Sequence, residues 1–168
     1  DAELSPHHQA SDAELMESIM EGTGWLEPSI DLEFVFVNAP HTCDPSPELY
    51  PSLAKAGLYA KSDYSSWEID DKVLLQQSFV YVERLLVDLA PIDAIAGICD
   101  GSLLAAAIAC AHPELRLYLN FCSGPLGRLA MSTPVTVTIP SLHFVSMRDD
   151  LFTVLELMQV PGACARDS

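Results

Sequence analysis

Hydrophobic and polar positions switch between a helical period and a strand period several times along the chain. Ser11 and Glu14 stand in an S-x-x-E capping box, and Leu15, Ile19 and Met20 follow at helical spacing, which predicts a helix over residues 11 to 21. The run Glu33, Phe34, Val35, Phe36, Val37 is aromatic and β-branched and reads as a strand, ended at Pro40, which removes a ladder donor. Pro40, Pro45, Pro47 and Pro51 mark one long loop, and residues 52 to 69, with Trp67, are irregular. Asp70 and Asp71 then place negative charge where a helix N-terminus favours it, and Val73, Leu74, Val80, Tyr81, Leu85 and Val87 give an amphipathic helix to about Leu89.

The second half repeats the alternation. Ile92 to Ile98 is a nearly continuous apolar run, as expected of a strand buried on both faces of a parallel sheet. Leu103 to Ala111 is an Ala-rich helix, Leu115 to Phe121 and Ile139 to Val145 are strands, and Leu151 to Met158 is a last short helix. Strands alternating with helices imply βαβ units with right-handed crossovers. The expected architecture is a single α/β domain over residues 1–168, a three-layer sandwich on a mostly parallel sheet.

Between the strand at 92–98 and the following helix lies Gly97, Ile98, Cys99, Asp100, Gly101, a G-x-C-x-G match to a nucleophile elbow. A side chain on so sharp a strand-to-helix turn needs small residues two before and two after it. A sulfur at a helix N-terminus lies in a field that favours thiolate. Asp100 is expected to oppose that effect, since a nearby negative charge raises a thiol pKa. The bland alternative is a buried core cysteine between two packed elements.

Composition narrows the function classes. Eight Lys plus Arg against 24 Asp plus Glu give a formal charge of −16, which excludes electrostatic nucleic-acid binding and disfavours an anionic membrane surface. Hydrophobic residues reach 49%, enough for a core. No apolar run approaches the roughly 18 residues needed to cross a bilayer. Five cysteines (Cys43, Cys99, Cys110, Cys122, Cys164) make neither an even set nor a close framework, so reduced thiols in a reducing compartment, cytoplasmic or organellar, are expected. The chain opens at Asp1 without Met, which points to a removed targeting segment or a fragment. His41, Thr42, Cys43 and Asp44 gather metal-ligand types, but no second cluster completes a zinc spacing, and neither metal nor cofactor is expected.

Taken together, residues 31–41, the stretch Ser66, Trp67, Glu68 before a helix, the elbow at 97–101, and Asn120, Phe121, Cys122, Ser123, Gly124 resemble the FSH serine hydrolases of the α/β-hydrolase superfamily. The resemblance spans about residues 7 to 150. It implies a nucleophile at Cys99, where members carry Ser in a G-F-S-Q-G form. It implies an acid at Asp149, with Asp150 the near alternative, and oxyanion donors in the backbone N–H groups of Asp100 and His8. Asp149 is as readily an N-cap for a helix starting at Leu151.

The chain departs from that pattern at three places. Cys replaces Ser. The oxyanion turn at Ser5, Pro6, His7, His8 has His where Gly belongs, and the strand before it is short. Residues 144–168 contain no histidine where the order nucleophile, acid, His would place the base. The substitutes are His7, His8 and His41. His112 reads instead as a helix C-terminal partner and His143 as a sheet residue. An α/β-hydrolase-like fold truncated at its first and last strands is therefore expected. Its function is expected to be that of a catalytically degenerate interaction or accessory subunit with protein partners in a larger assembly, organellar and peripheral to a membrane complex in one version. The alternative is a small-ester or thioester hydrolase with Cys99 as nucleophile.

Overall fold

The computed structural model describes residues 13–22, 24–26, 33–43, 64–146 and 153–164. The chain forms two units, Asp1–Ser66 and Trp67–Ser168.

In the first unit, α1 spans Ala13–Gly22. Its opening N–H, on Ala13, donates to the side-chain Oδ1 of Asn38 at 2.8 Å, a cap brought from 25 residues away. Ser11, the expected cap, lies outside the described residues. The helix closes with a paired turn: Trp25 N–H donates to Met20 O at 2.9 Å and Gly24 N–H to Glu21 O at 3.0 Å. Gly24 takes φ 81° there, a conformation glycine adopts without steric cost. Strand β1, His41–Cys43, pairs antiparallel with β2, Tyr64–Ser66, His41 lying opposite Ser66.

The strand expected at 33–37 is not formed. No ladder partner lies beside it among the described residues, and β-propensity reflects packing on a neighbouring strand rather than a backbone preference. Phe34 and Phe36 instead stack on each other, centroids 6.0 Å apart.

In the second unit, the Asp71 carboxylate accepts the N–H groups of Val73 and Leu74 at 2.8 and 2.9 Å and starts α2, Lys72–Asp88. Then come β3 (Ala94–Ile98), α3 (Asp100–Ala111), β4 (Leu117–Phe121), a 3₁₀ turn at Leu126–Arg128 and β5 (Ser141–Phe144). The sheet order is β3-β4-β5, parallel throughout, with Gly97, Asn120 and His143 in one row. Parallel neighbours need a crossover, and α3 supplies the one between β3 and β4. Residues Ser102 to Ala109 of α3 are all buried, which is why this helix is mostly alanine with Leu103, Leu104 and Ile108.

The register places Ile95, Gly97, Tyr118, Asn120, Ser141 and His143 on one face, and Ser102 of α3 reaches Tyr118 and Asn120 there. The opposite face carries Ala94, Ala96, Ile98, Leu117, Leu119, Phe121, Leu142 and Phe144 and is apolar throughout. Leu119 is buried on it, whereas Ala96 is exposed and Leu142 is 53% exposed. The expectation that the run 92–98 is buried on both faces is thus corrected: it records a face that is apolar but only partly covered.

The last helix is also corrected. It begins at Val154 rather than Leu151, as α4 (Val154–Leu157) followed by α5 (Gln159–Ala163). Its N-cap is Thr153, not Asp149: Glu156 N–H donates to Thr153 Oγ1 at 3.3 Å, and Thr153 N–H returns to Glu156 Oε2 at 2.8 Å. The pattern T-x-x-E was readable in the chain.

Candidate active site

Strand β3 runs into α3 through a single residue, Cys99, with φ 52° and ψ −120°. That backbone region costs a non-glycine residue about 1–3 kcal/mol and persists only where the surroundings enforce it. The enforcing contacts are on both sides. Cys99 N–H donates to Phe121 O of β4 at 3.1 Å, and its carbonyl accepts from Ser102 N–H at 3.0 Å. At Gly97 a Cβ would stand 2.3 Å from the Gly101 carbonyl oxygen and 2.5 Å from Ser102 N, so only hydrogen fits. At Gly101 a Cβ would meet Trp67 Nε1 at 3.1 Å. Trp67 packs against the core and lies near Tyr81, ring centroids 6.4 Å apart. Gly97 is therefore required by the backbone it meets, and Gly101 fits tightly against a side chain.

Cys99 occupies the helix N-cap position, and its side chain makes no capping hydrogen bond. It stands where the helix dipole favours a thiolate. The Asp100 backbone N–H belongs to the first turn, whose N–H groups have no intrahelical acceptor.

Asp100, next to the sulfur, is held in an ion pair. Its carboxylate is nearly buried and is clamped by Arg128, Nη1 to Oδ1 at 2.6 Å and Nη2 to Oδ2 at 3.2 Å. This two-point guanidinium clamp sets a positive charge against the carboxylate that stands beside the sulfur. Arg128 was missed by sequence reasoning. The signal was that a carboxylate at a buried corner needs a cation, and this chain has only eight Lys and Arg to supply one.

Behind the elbow lies a buried polar cluster. Asn120 Oδ1 accepts from Ser102 Oγ at 2.7 Å and from Ser123 N–H at 3.1 Å, and its Nδ2 donates to Ser123 Oγ at 3.2 Å and to His143 Nδ1 at 3.0 Å. Since Nδ1 accepts, the imidazole proton is on Nε2, which donates to Ser141 Oγ at 2.9 Å. Tyr118 OH donates to the Ser102 carbonyl at 2.8 Å, and burial pushes its pKa well up.

His143, as expected, is a satisfied sheet residue. It lies two strands from Gly97, roughly 10 Å at the spacing of neighbouring strands, with both ring nitrogens engaged. Burial holds its pKa below the usual histidine value. The unfolded chain therefore binds this proton more readily than the folded one, so stability falls as pH drops below about 6.5, towards the depressed folded value. His143→Gln is expected to flatten that part of a plot of urea midpoint against pH; an unchanged slope would show that another group causes it.

Of the other candidates, His41 is in β1 of the first unit, while His7, His8, Asp149 and Asp150 lie outside the described residues. His112 caps the far end of α3, its N–H on Ile108 O at 2.9 Å and its Nδ1 2.6 Å from Glu114. No group of three or more metal-ligating side chains occurs among the described residues. No helix among them is long and apolar enough to cross a membrane.

A family model described as serine hydrolase (FSH1) matches residues 13–167. No curated protein and no solved structure matches the chain.

Proposed function

The chain belongs to the serine hydrolase (FSH1) family, of α/β-hydrolase type, and we propose that it uses Cys99 as an acyl-accepting nucleophile toward small esters or thioesters, with slow release of the acyl group. The observation that carries this reading is the Cys99 backbone, φ 52° and ψ −120°, held at a corner that Gly97 alone permits.

The thiolate attacks the acyl carbonyl, the C–S bond forms, and the oxyanion is met by the Asp100 N–H. The C–O or C–S bond to the leaving group then breaks, and the departing alkoxide or thiolate takes a proton from water. A thiol can do this without a base better than a hydroxyl, because a few per cent of an ordinary cysteine is already thiolate at pH 7. Hydrolysis of the acyl-cysteine is different: water needs a general base, which is typically worth about 10²- to 10⁴-fold. Among the described residues His143, two strands from Gly97 and with both ring nitrogens engaged, is not placed to supply it. With p-nitrophenyl acetate the expected result is a burst near one equivalent, absent in Cys99→Ala, followed by slow turnover. A folded protein that shows no Cys99-dependent burst would overturn the reading.

The partly covered sheet face favours a second reading, an interaction or accessory subunit. Leu142 and Phe144 of β5, at 53% and 37% exposure, make an apolar surface of the kind partners cover. Native mass spectrometry of the protein from its source decides this: a stable complex supports it and an isolated monomer argues against it.

A further inference from the structure

We propose that Cys99 and Cys122 form a reversible disulfide across the carboxyl edge of the sheet, giving the elbow an oxidised state in which its sulfur is blocked. Ile98 and Phe121 are the last register partners of β3 and β4, and the next residue on each strand is a cysteine. The backbones have not yet parted there, because Cys99 N–H still donates to Phe121 O at 3.1 Å, while Cys122 N–H donates to Phe144 O at 2.8 Å. Neighbouring strands run about 4.8 Å apart. A disulfide spans Cα separations of about 4.4–6.8 Å, so the two positions fall within its reach. Both residues also turn the same way, with φ 52° and 50°; among the described non-glycine residues only Glu68 shares that sign.

The remaining cysteines are placed differently. Cys110 is exposed near the far end of α3, Cys164 is buried with its thiol donating to Val160 O at 3.4 Å, and Cys43 belongs to the first unit. All five are thiols in the structure, and Cys99 and Cys122 are both half-buried, within reach of a small oxidant.

The co-reactant is hydrogen peroxide. The Cys99 thiolate attacks one peroxide oxygen, an S–O bond forms as the O–O bond breaks, and the displaced oxygen leaves as water after protonation. The Cys122 thiolate then attacks that sulfenic sulfur, the S–S bond forms, and hydroxide leaves and is protonated. Two thiols and one hydrogen peroxide thus give one disulfide and two waters, the sulfurs losing two electrons to the peroxide bond.

The full chain is treated with hydrogen peroxide, alkylated with iodoacetamide and mapped by peptide mass. Cys99 and Cys122 are expected to lose alkylation together, appear as one cross-linked peptide pair, and recover with dithiothreitol. In Cys122→Ser, Cys99 is expected to proceed to sulfinic acid that dithiothreitol does not reverse. A wild-type map in which Cys122 still alkylates once Cys99 is oxidised, or in which Cys99 is linked to another cysteine, overturns the proposal, and that map decides even where Cys122→Ser fails to fold. The disulfide does not depend on acyl chemistry: a missing ester burst with the cross-link present sinks only the nucleophile reading, and a burst without the cross-link sinks only this one.

Discussion

Gly97→Ala is expected to destabilise the second unit by about 3 kcal/mol, the upper end of the range for overpacking, and to abolish Cys99 acylation even in the fraction that remains folded. The added methyl would stand 2.3 Å from the Gly101 oxygen, 2.4 Å from the Gly101 carbonyl carbon and 2.5 Å from Ser102 N. All three are backbone atoms, so no side-chain rotation relieves the contact. Relief requires α3 to move off β3, and α3 is buried from Ser102 to Ala109, so the shift disturbs the core along the helix. It would also break the bonds that hold Cys99 at φ 52°. Gly127→Ala and Gly162→Ala are the controls: a Cβ at either position meets nothing within 4 Å, and both should stay within about 0.5 kcal/mol of the parent. Urea midpoints check the set. A Gly97→Ala midpoint equal to that of the controls would mean that the corner is not as tight as its atoms indicate.

The contrast between glycines shows what the chain discloses by itself. The pattern G-x-C-x-G after an apolar run and before an Ala-rich run is local, and the structure places Cys99 at the corner that pattern predicts, with the helix starting at Asp100. Helix α2 was legible for the same reason, since Asp71 caps residues two and three positions ahead of it. What escaped reading depends on partners distant in the chain. Arg128 reaches Asp100 across 28 residues from a 3₁₀ turn that has no periodicity to announce it. The link between Asn120 and His143 exists only once β4 and β5 are paired in register. Residues 33–37 fail in the opposite sense: strand-forming side chains do not make a strand without a neighbouring ladder.

The Asp100 clamp carries the second large prediction. Arg128→Gln removes the guanidinium that clamps a carboxylate whose side chain is 8% exposed, and removing one partner of a buried pair costs about 3–5 kcal/mol. The same substitution takes a positive charge away from the carboxylate beside the elbow sulfur, so iodoacetamide should modify Cys99 more slowly and with its pH profile moved to higher pH. Asp100→Asn made alone removes the carboxylate that Arg128, itself 19% exposed, clamps, and should cost less, because guanidinium is the more weakly hydrated and the more accessible partner. The double variant Asp100→Asn, Arg128→Gln removes both charges and should recover most of the stability and the parent alkylation profile. The double-mutant cycle then isolates the coupling between the two residues from whatever each does alone. Two quantities are read from the same four proteins, and they separate the roles. Recovery of stability without recovery of the thiol profile would make Arg128 a structural clamp only, and recovery of both makes the ion pair the device that lets an aspartate sit next to a nucleophilic sulfur.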